Sequence, residues 1–147
     1  MIRKSKLRKK RLSKRTILER AHKACWKAAV GAIKRRDKVC QVHKEACTCK
    51  VLVVDHFLSR THKAVFYDER NLSLVCRDSN WEKFRGRKDT AYRIAKVVEA
   101  KWGQEAIDDM ARQARFPKKW QVSELEEMTK RFDEMYIDTK EMRLERD

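Results

Sequence analysis

Glycine and proline are scarce: the 147 residues include three of the first and one of the second. Tight turns draw on both, so an all-β sandwich or barrel is excluded and a mostly helical chain is expected. No apolar run approaches the roughly 20 residues needed to cross a bilayer. Nor does the apolar stretch of a secretory signal follow the basic first residues. We therefore expect a soluble, cytoplasmic protein with no membrane partner. Acidic residues are almost missing from residues 1–36, which hold 15 basic residues against 1 acidic, whereas residues 37–85 hold 9 and 7 and residues 86–147 hold 14 and 14. Nearly all of the +16 formal charge thus sits in the first quarter of the chain. A solvated surface would intersperse both signs; such concentration points to a polyanion, and nucleic-acid phosphate is the expected partner.

What is present divides the chain into four stretches. Residues 1–15 carry too few apolar groups to pack and read as a basic flexible arm, ordered only when phosphates meet it. Residues 16–36 form a basic amphipathic helix, with Ile17, Leu18, Ala21, Ala24, Cys25, Ala28, Ala29, Ala32 and Ile33 recurring at three- and four-residue spacing. Candidate phosphate contacts are Arg8, Lys9, Lys10, Arg11, Lys14 and Arg15 on the arm and Lys23, Lys27, Arg35 and Arg36 on the helix. Residues 37–85 have a different texture. The β-branched run Val51–Val54 predicts a strand ending in Asp55 and His56, and Leu72–Val75, closing on Cys76, predicts an antiparallel partner before helix resumes from Asn80.

Residues 86–147 read as helices. One carries Tyr92, Ile94, Ala95, Val98 and Trp102 with Gly103 as its C-cap, and a short one carries Ile107, Met110, Ala111 and Ala114. The last helix, 123–147, is expected to start at Ser123 in a capping box with Glu126. Its stripe of Leu125, Met128, Phe132, Met135 and Met142 suits packing onto the rest of the domain, or the seam of a homodimer.

Five cysteines, Cys25, Cys40, Cys47, Cys49 and Cys76, are an odd number, and four of them lie between residues 40 and 76. In a chain expected to be intracellular this fits metal ligation better than a disulfide framework.

The stretch from Cys40 to Lys83 contains Cys40-x2-His43, Cys47-x-Cys49, Asp55-His56, Asn71-Leu72, and Cys76 followed by Asn80 and Lys83. This resembles the HNH, or ββα-metal, nuclease motif. The run Phe66-Tyr67-Asp68-Glu69-Arg70-Asn71, with Arg35-Arg36-Asp37, Tyr92-Arg93, Lys101-Trp102-Gly103 and Lys119-Trp120, is similar to the lambdoid-phage NinG/Rap recombination nucleases over about residues 20–140. The resemblance implies an α+β fold, mostly helical: a ββα-metal core with a zinc knuckle, flanked by the basic helix and the C-terminal helices. It implies His56 as general base, since an ordinary imidazole is largely neutral near pH 7. Asp55 and Asn80 would ligate a catalytic Mg2+ or Mn2+, Asn71 would hold the loop that follows His56, and Lys83 would contact the scissile phosphate.

Where the family pattern has two Cys-x2-Cys knuckles, this chain reads Cys40-x2-His43 and Cys76-x2-Ser79. Serine is a poor zinc ligand. A tetrahedral structural Zn2+ site would draw four donors from Cys40, His43, Cys47, Cys49 and Cys76, with Cys40, His43 and Cys76 joined by either Cys47 or Cys49. The activity implied is metal-dependent hydrolysis of DNA phosphodiester bonds, structure-specific on branched recombination intermediates such as Holliday junctions or D-loops, in the host cytoplasm if phage-encoded. Two other readings stand beside it: a zinc-stabilised nucleic-acid-binding protein without catalysis, and an HNH enzyme that nicks duplex DNA.

Overall fold

Ser13 opens the first helix, its hydroxyl accepting from the Thr16 amide at 3.1 Å, which satisfies one of the unpaired amides of the first turn. The computed structural model describes residues 12–137. Arg8, Lys9, Lys10 and Arg11, like Met142, lie outside them. Helix α1 runs Lys14–Asp37, so Lys14 and Arg15, expected in the arm, occupy its first turn.

Most of the expected apolar face of α1 is buried, with Cys25, Ala28, Ala29, Ala32 and Ile33 shielded from solvent, whereas Ile17 and Ala24, expected on the same face, are exposed. Its small side chains let the last helix, α5 (Val122–Glu134), lie close alongside, with Leu125 and Phe132 buried in the shared core. Each of those two contributes about 1.5–3 kcal/mol by leaving water. The stripe considered as a dimer seam is therefore occupied within the chain at Leu125 and Phe132. The capping box of α5 also sits two residues earlier than expected. Gln121, not Ser123, is the N-cap, and Glu124 accepts from the Gln121 amide at 2.8 Å. Lys118, 2.5 Å from Glu124, holds that carboxylate in place.

Between the first and last helices lies a two-stranded antiparallel sheet, β1 (Leu52–His56) and β2 (Leu72–Cys76), with Leu52 opposite Cys76 and His56 opposite Leu72. Two strands alone are marginal in water. Here Val54, Leu72 and Leu74 gain stability by packing into the core of α1 and α5. Helix α2 (Arg77–Phe84) follows β2 without a loop and begins three residues before the expected start at Asn80, because Cys76 caps it. Helices α3 (Lys88–Trp102) and α4 (Gln104–Ala114) meet at Gly103, whose φ of 83° ends the first while its N–H donates a hydrogen bond to the Glu99 carbonyl. A β-carbon would be strained in that conformation. Val98 and Met110 from these helices enclose Val65 in a second, smaller core. No helix among the described residues is long and apolar enough to cross a membrane.

One carboxylate joins most of these pieces. Asp37, whose side chain is 1% exposed, accepts from the Leu74 amide at 2.9 Å, from Lys101 of α3 at 2.6 Å and from Arg36 at 2.7 Å and 3.0 Å. Arg36, with only 8% of its side chain exposed, also donates to the carbonyls of Glu69 and Leu72. Arg35 donates to the carbonyls of Phe132 and Met135 and so closes the end of α5. These two arginines, expected to face DNA phosphates, are thus structural; their guanidinium groups already satisfy internal carbonyls.

Burial alone would raise the Asp37 carboxyl, but the bonds from Arg36, Lys101 and the Leu74 amide outweigh it and hold it below its ordinary value. A depressed folded-state value means that the stabilisation is complete above the unfolded value of about 3.9 and is lost as pH falls through the folded one. Asp37→Ala should cost about 3–5 kcal/mol in urea unfolding at pH 7, because buried cations lose their partner. The gap between the two proteins should close in scans below about pH 3.9; a gap independent of pH would show that the carboxylate charge is not what matters.

Candidate active cleft and metal cluster

β1 ends in two buried polar residues that border a cleft at the rim of the sheet. Asp55 and His56 line this opening of about 630 Å³ together with Arg60 from the following loop and Asn80, Trp81 and Lys83 from α2. Asp55, His56, Asn80 and Lys83, four of the five residues singled out for catalysis, are thereby brought to one place. Asn71, the fifth, stands behind it. Its side chain is fully buried, with Oδ1 accepting from the Leu58 amide at 2.6 Å and Nδ2 donating to the carbonyls of Leu58 and Val65. A carboxamide can serve both kinds of backbone group at once. It pins the loop that follows His56 at both ends.

His56 is held on three sides. Its ring stacks on Trp26 of α1, with centroids 5.2 Å apart and planes 11° from parallel, and meets the ring of Phe66 at 4.6 Å. Nε2 lies 3.1 Å from the Phe66 carbonyl. Since a carbonyl only accepts, Nε2 carries the hydrogen and Nδ1 the lone pair in the neutral ring. Burial, with added repulsion from Arg60, Lys83 and Lys63 and a partial offset from the Phe66 bond, pushes the His56 pKa down to about 4. The imidazole is neutral at pH 7, the protonation state a base requires.

Asp55 has a cation beside it already. Lys83 Nζ lies 2.6 Å from its Oδ2 and also bonds the His56 carbonyl. Beside the opening, α2 presents Trp81 at 55% exposure and Phe84 at 84%, their rings stacked at 6.1 Å, with the Arg85 guanidinium 5.3 Å from the Trp81 ring. Trp81 faces solvent because the buried face of this short helix is given to Ser79.

A second constellation sits at the other end of the sheet, where Leu52 pairs with Cys76. The ligand atoms of Cys40, His43, Cys47 and Cys76 all lie within 4.8 Å of one another, an arrangement that could hold a metal ion. His43 Nδ1 is 3.6 Å from Cys76 Sγ and 3.9 Å from Cys40 Sγ. A tetrahedral zinc with ordinary bond lengths sets sulfur and nitrogen about 3.6 Å apart, so the donor set fits that ion. Of the two alternatives for the fourth donor, Cys47 joins the cluster. Cys49 turns away and its thiol donates to the Val51 carbonyl at 3.4 Å.

The turn between Cys40 and Cys47 places Lys44 at φ 51°, and its amide returns to the Cys40 carbonyl at 2.8 Å. Burial would raise the Cys40 thiol, yet the amides of His43, Cys76 and Val42 aim at its sulfur and lower it overall. Desolvation and the charge on Cys40 push Cys47 up to about 11. A bound cation would relieve that repulsion, which is how metal ligation couples to thiol ionisation. Ser79, in place of a ligand, supports one: its amide donates to Cys76 Sγ at 3.4 Å.

The remaining basic candidates differ in their surroundings. Lys23 and Lys27 are exposed on α1, and so are Lys14 and Arg15, the latter paired with Glu19. Sequence reasoning missed the packing of Trp26 and Phe66 around His56. The first sits in a helix 30 residues upstream, and nothing in its local pattern marks it as a neighbour of the strand end. Compared with protein-family models, with curated proteins and with solved structures, the chain gives no match.

If the cluster is a structural zinc site, metal analysis should find about one zinc per chain. Cys47→Ser should lose it and Cys49→Ser should keep it; the reverse order would reassign the fourth ligand.

Proposed function

We propose that the chain is a metal-dependent endonuclease of the ββα-metal type that hydrolyses DNA phosphodiester bonds, with branched DNA as its substrate. The observation that carries this reading is the meeting of Asp55, His56, Asn80 and Lys83 at one cleft, on two strands and the helix that follows them, with Asn71 clamping the loop between.

The residues divide the work. His56 Nδ1 takes the proton of the attacking water, while the Phe66 carbonyl and the Trp26 ring keep the imidazole from turning. Asp55 and Asn80 offer a carboxylate and a carboxamide oxygen, the donors that Mg2+ or Mn2+ prefers. Such an ion, when bound, supplies positive charge to the phosphate and to the leaving 3′ oxygen. Lys83 then releases Asp55 and is placed to meet a neighbouring phosphate oxygen, with Arg60 on the same wall. The bond from phosphorus to the 3′ oxygen breaks as the water oxygen bonds to phosphorus, and the 3′ oxygen takes a proton from solvent, which leaves 5′-phosphate and 3′-hydroxyl ends. Support for a branched substrate comes from the similarity to the NinG/Rap nucleases and from Trp81 and Phe84. These exposed rings beside the cleft are suited to lie against bases that a junction unstacks.

A second reading, a zinc-stabilised DNA-binding protein without catalysis, is favoured by one observation: Lys83 already neutralises Asp55. Cleavage of a synthetic four-way junction and of a linear duplex, with Mg2+ or Mn2+, separates the two. The nuclease reading expects metal-dependent cutting, preferentially of the junction. His56→Ala should reduce it by at least about a hundredfold, in line with the loss of a general base, while junction affinity changes less than about threefold. Tight junction binding with no cutting by the wild-type chain would establish the second reading instead.

A further inference from the structure

A separate groove of about 640 Å³ lies between α1 and the segment Lys118–Trp120 that precedes α5. It is within the range of about 300–1,000 Å³ typical of small-molecule sites. Its walls are aromatic: Trp26, Phe66, Tyr67 and Trp120 all contribute. Its rim is basic and holds no carboxylate among the described residues that line it. Lys23, Lys27 and Lys119 are exposed and make no ion pair with any described residue. Lys63 lies 5.1 Å from the Phe66 ring centre and Lys118 4.7 Å from that of Trp120, and of the five lysines Lys118 is the one paired with a carboxylate of a described residue, Glu124.

Aromatic walls ringed by cations match one chemistry closely: a flat, polarisable base attached to a phosphate chain. Stacking on side-chain rings and phosphate binding by lysine are how single strands are held without regard to sequence. A paired duplex cannot use such walls, because its base faces are hidden in the stack. We propose that this groove binds an unpaired nucleotide of a DNA strand, its base against Trp26 or Trp120 and its flanking phosphates on Lys23, Lys27 and Lys119. The proposal rests on the nucleic-acid reading above, and it names the feature of a branched substrate that the protein would recognise: a strand released from pairing. Trp26 and Phe66 line the groove and also enclose His56, so the strand would be gripped next to the residue read as the base.

The test is binding, measured by fluorescence anisotropy with no added Mg2+ or Mn2+, of a labelled dT12 strand and of a 12-base-pair duplex. Wild-type protein should bind dT12 with a steep salt dependence. The surface double variant Lys23→Glu/Lys27→Glu should weaken dT12 at least about tenfold and lower the salt slope by about one to two, since each phosphate that is no longer neutralised removes about one from it. Trp120→Leu, whose fold is checked by circular dichroism, should weaken dT12 about fivefold or more while leaving the duplex within about twofold. An rU12 arm shows whether the groove also accepts a ribose strand; tighter binding of rU12 than of dT12 would overturn the assignment to DNA. Unchanged dT12 affinity in both variants would overturn the groove, as would equal losses for strand and duplex, which would mark only a general phosphate surface. Junction cutting that survives with an inert groove would defeat this inference and leave the nuclease reading intact; groove-dependent strand binding without cutting would do the opposite.

Discussion

Among the described residues, the elements around the sheet are joined by a buried carboxylate at the end of the first helix. Asp37 ties the backbone of β2, a lysine of α3 and the adjacent Arg36 into one network, and Arg36 extends it to the turn that leads into β2. A charge removed from water is costly unless it is fully partnered. Here each oxygen has more than one donor, so the cost of burial becomes a constraint on geometry. With α1 fixed against β2, the cysteine that follows at position 40 and the tryptophan eleven residues before Asp37 are both oriented: one toward the thiol cluster, the other over His56.

The two chemical features of the fold sit at opposite ends of a sheet only five residues long. Such economy is available because antiparallel strands place both termini of each strand at a rim. One rim carries Asp55 and His56, the other Leu52 and Cys76. The imidazole is not merely near the opening; it is immobilised between an indole, a phenyl ring and a carbonyl. A side chain held this way has little orientational freedom left to lose, which is the usual physical source of preorganisation.

Much of this is legible in the sequence, for reasons that can be named. The alanine-rich three- and four-residue spacing marks α1, and the β-branched run and its apolar partner mark the antiparallel strands. The resemblance of Asp55-His56, Asn71 and Asn80 to the HNH motif marks the residues that meet at or behind one cleft. What is not legible requires long-range knowledge. Arg35 and Arg36 look like any exposed basic pair until the carbonyls of Phe132, Met135, Glu69 and Leu72 arrive from elsewhere. Cys47 and Cys49 are equivalent by spacing, and only the turn at Lys44 decides which sulfur faces the others. The capping box of α5 is legible in place but not in register, because glutamine can serve as a cap when a lysine and glutamate fix the first turn. Nothing in the local pattern marks Trp81 as exposed, which its position on a helix of eight residues makes it.

Cys76 is the last residue of β2, the N-cap of α2 and a member of the thiol–imidazole cluster at once. Its sulfur receives the Ser79 amide, so the direction in which α2 leaves the sheet is set at that atom. Asn80 and Lys83 ride on the same helix, one and two turns further on. The cluster and the cleft therefore share one helix: the sulfur that caps its first turn belongs to the cluster, and the turns beyond it carry two residues of the cleft wall.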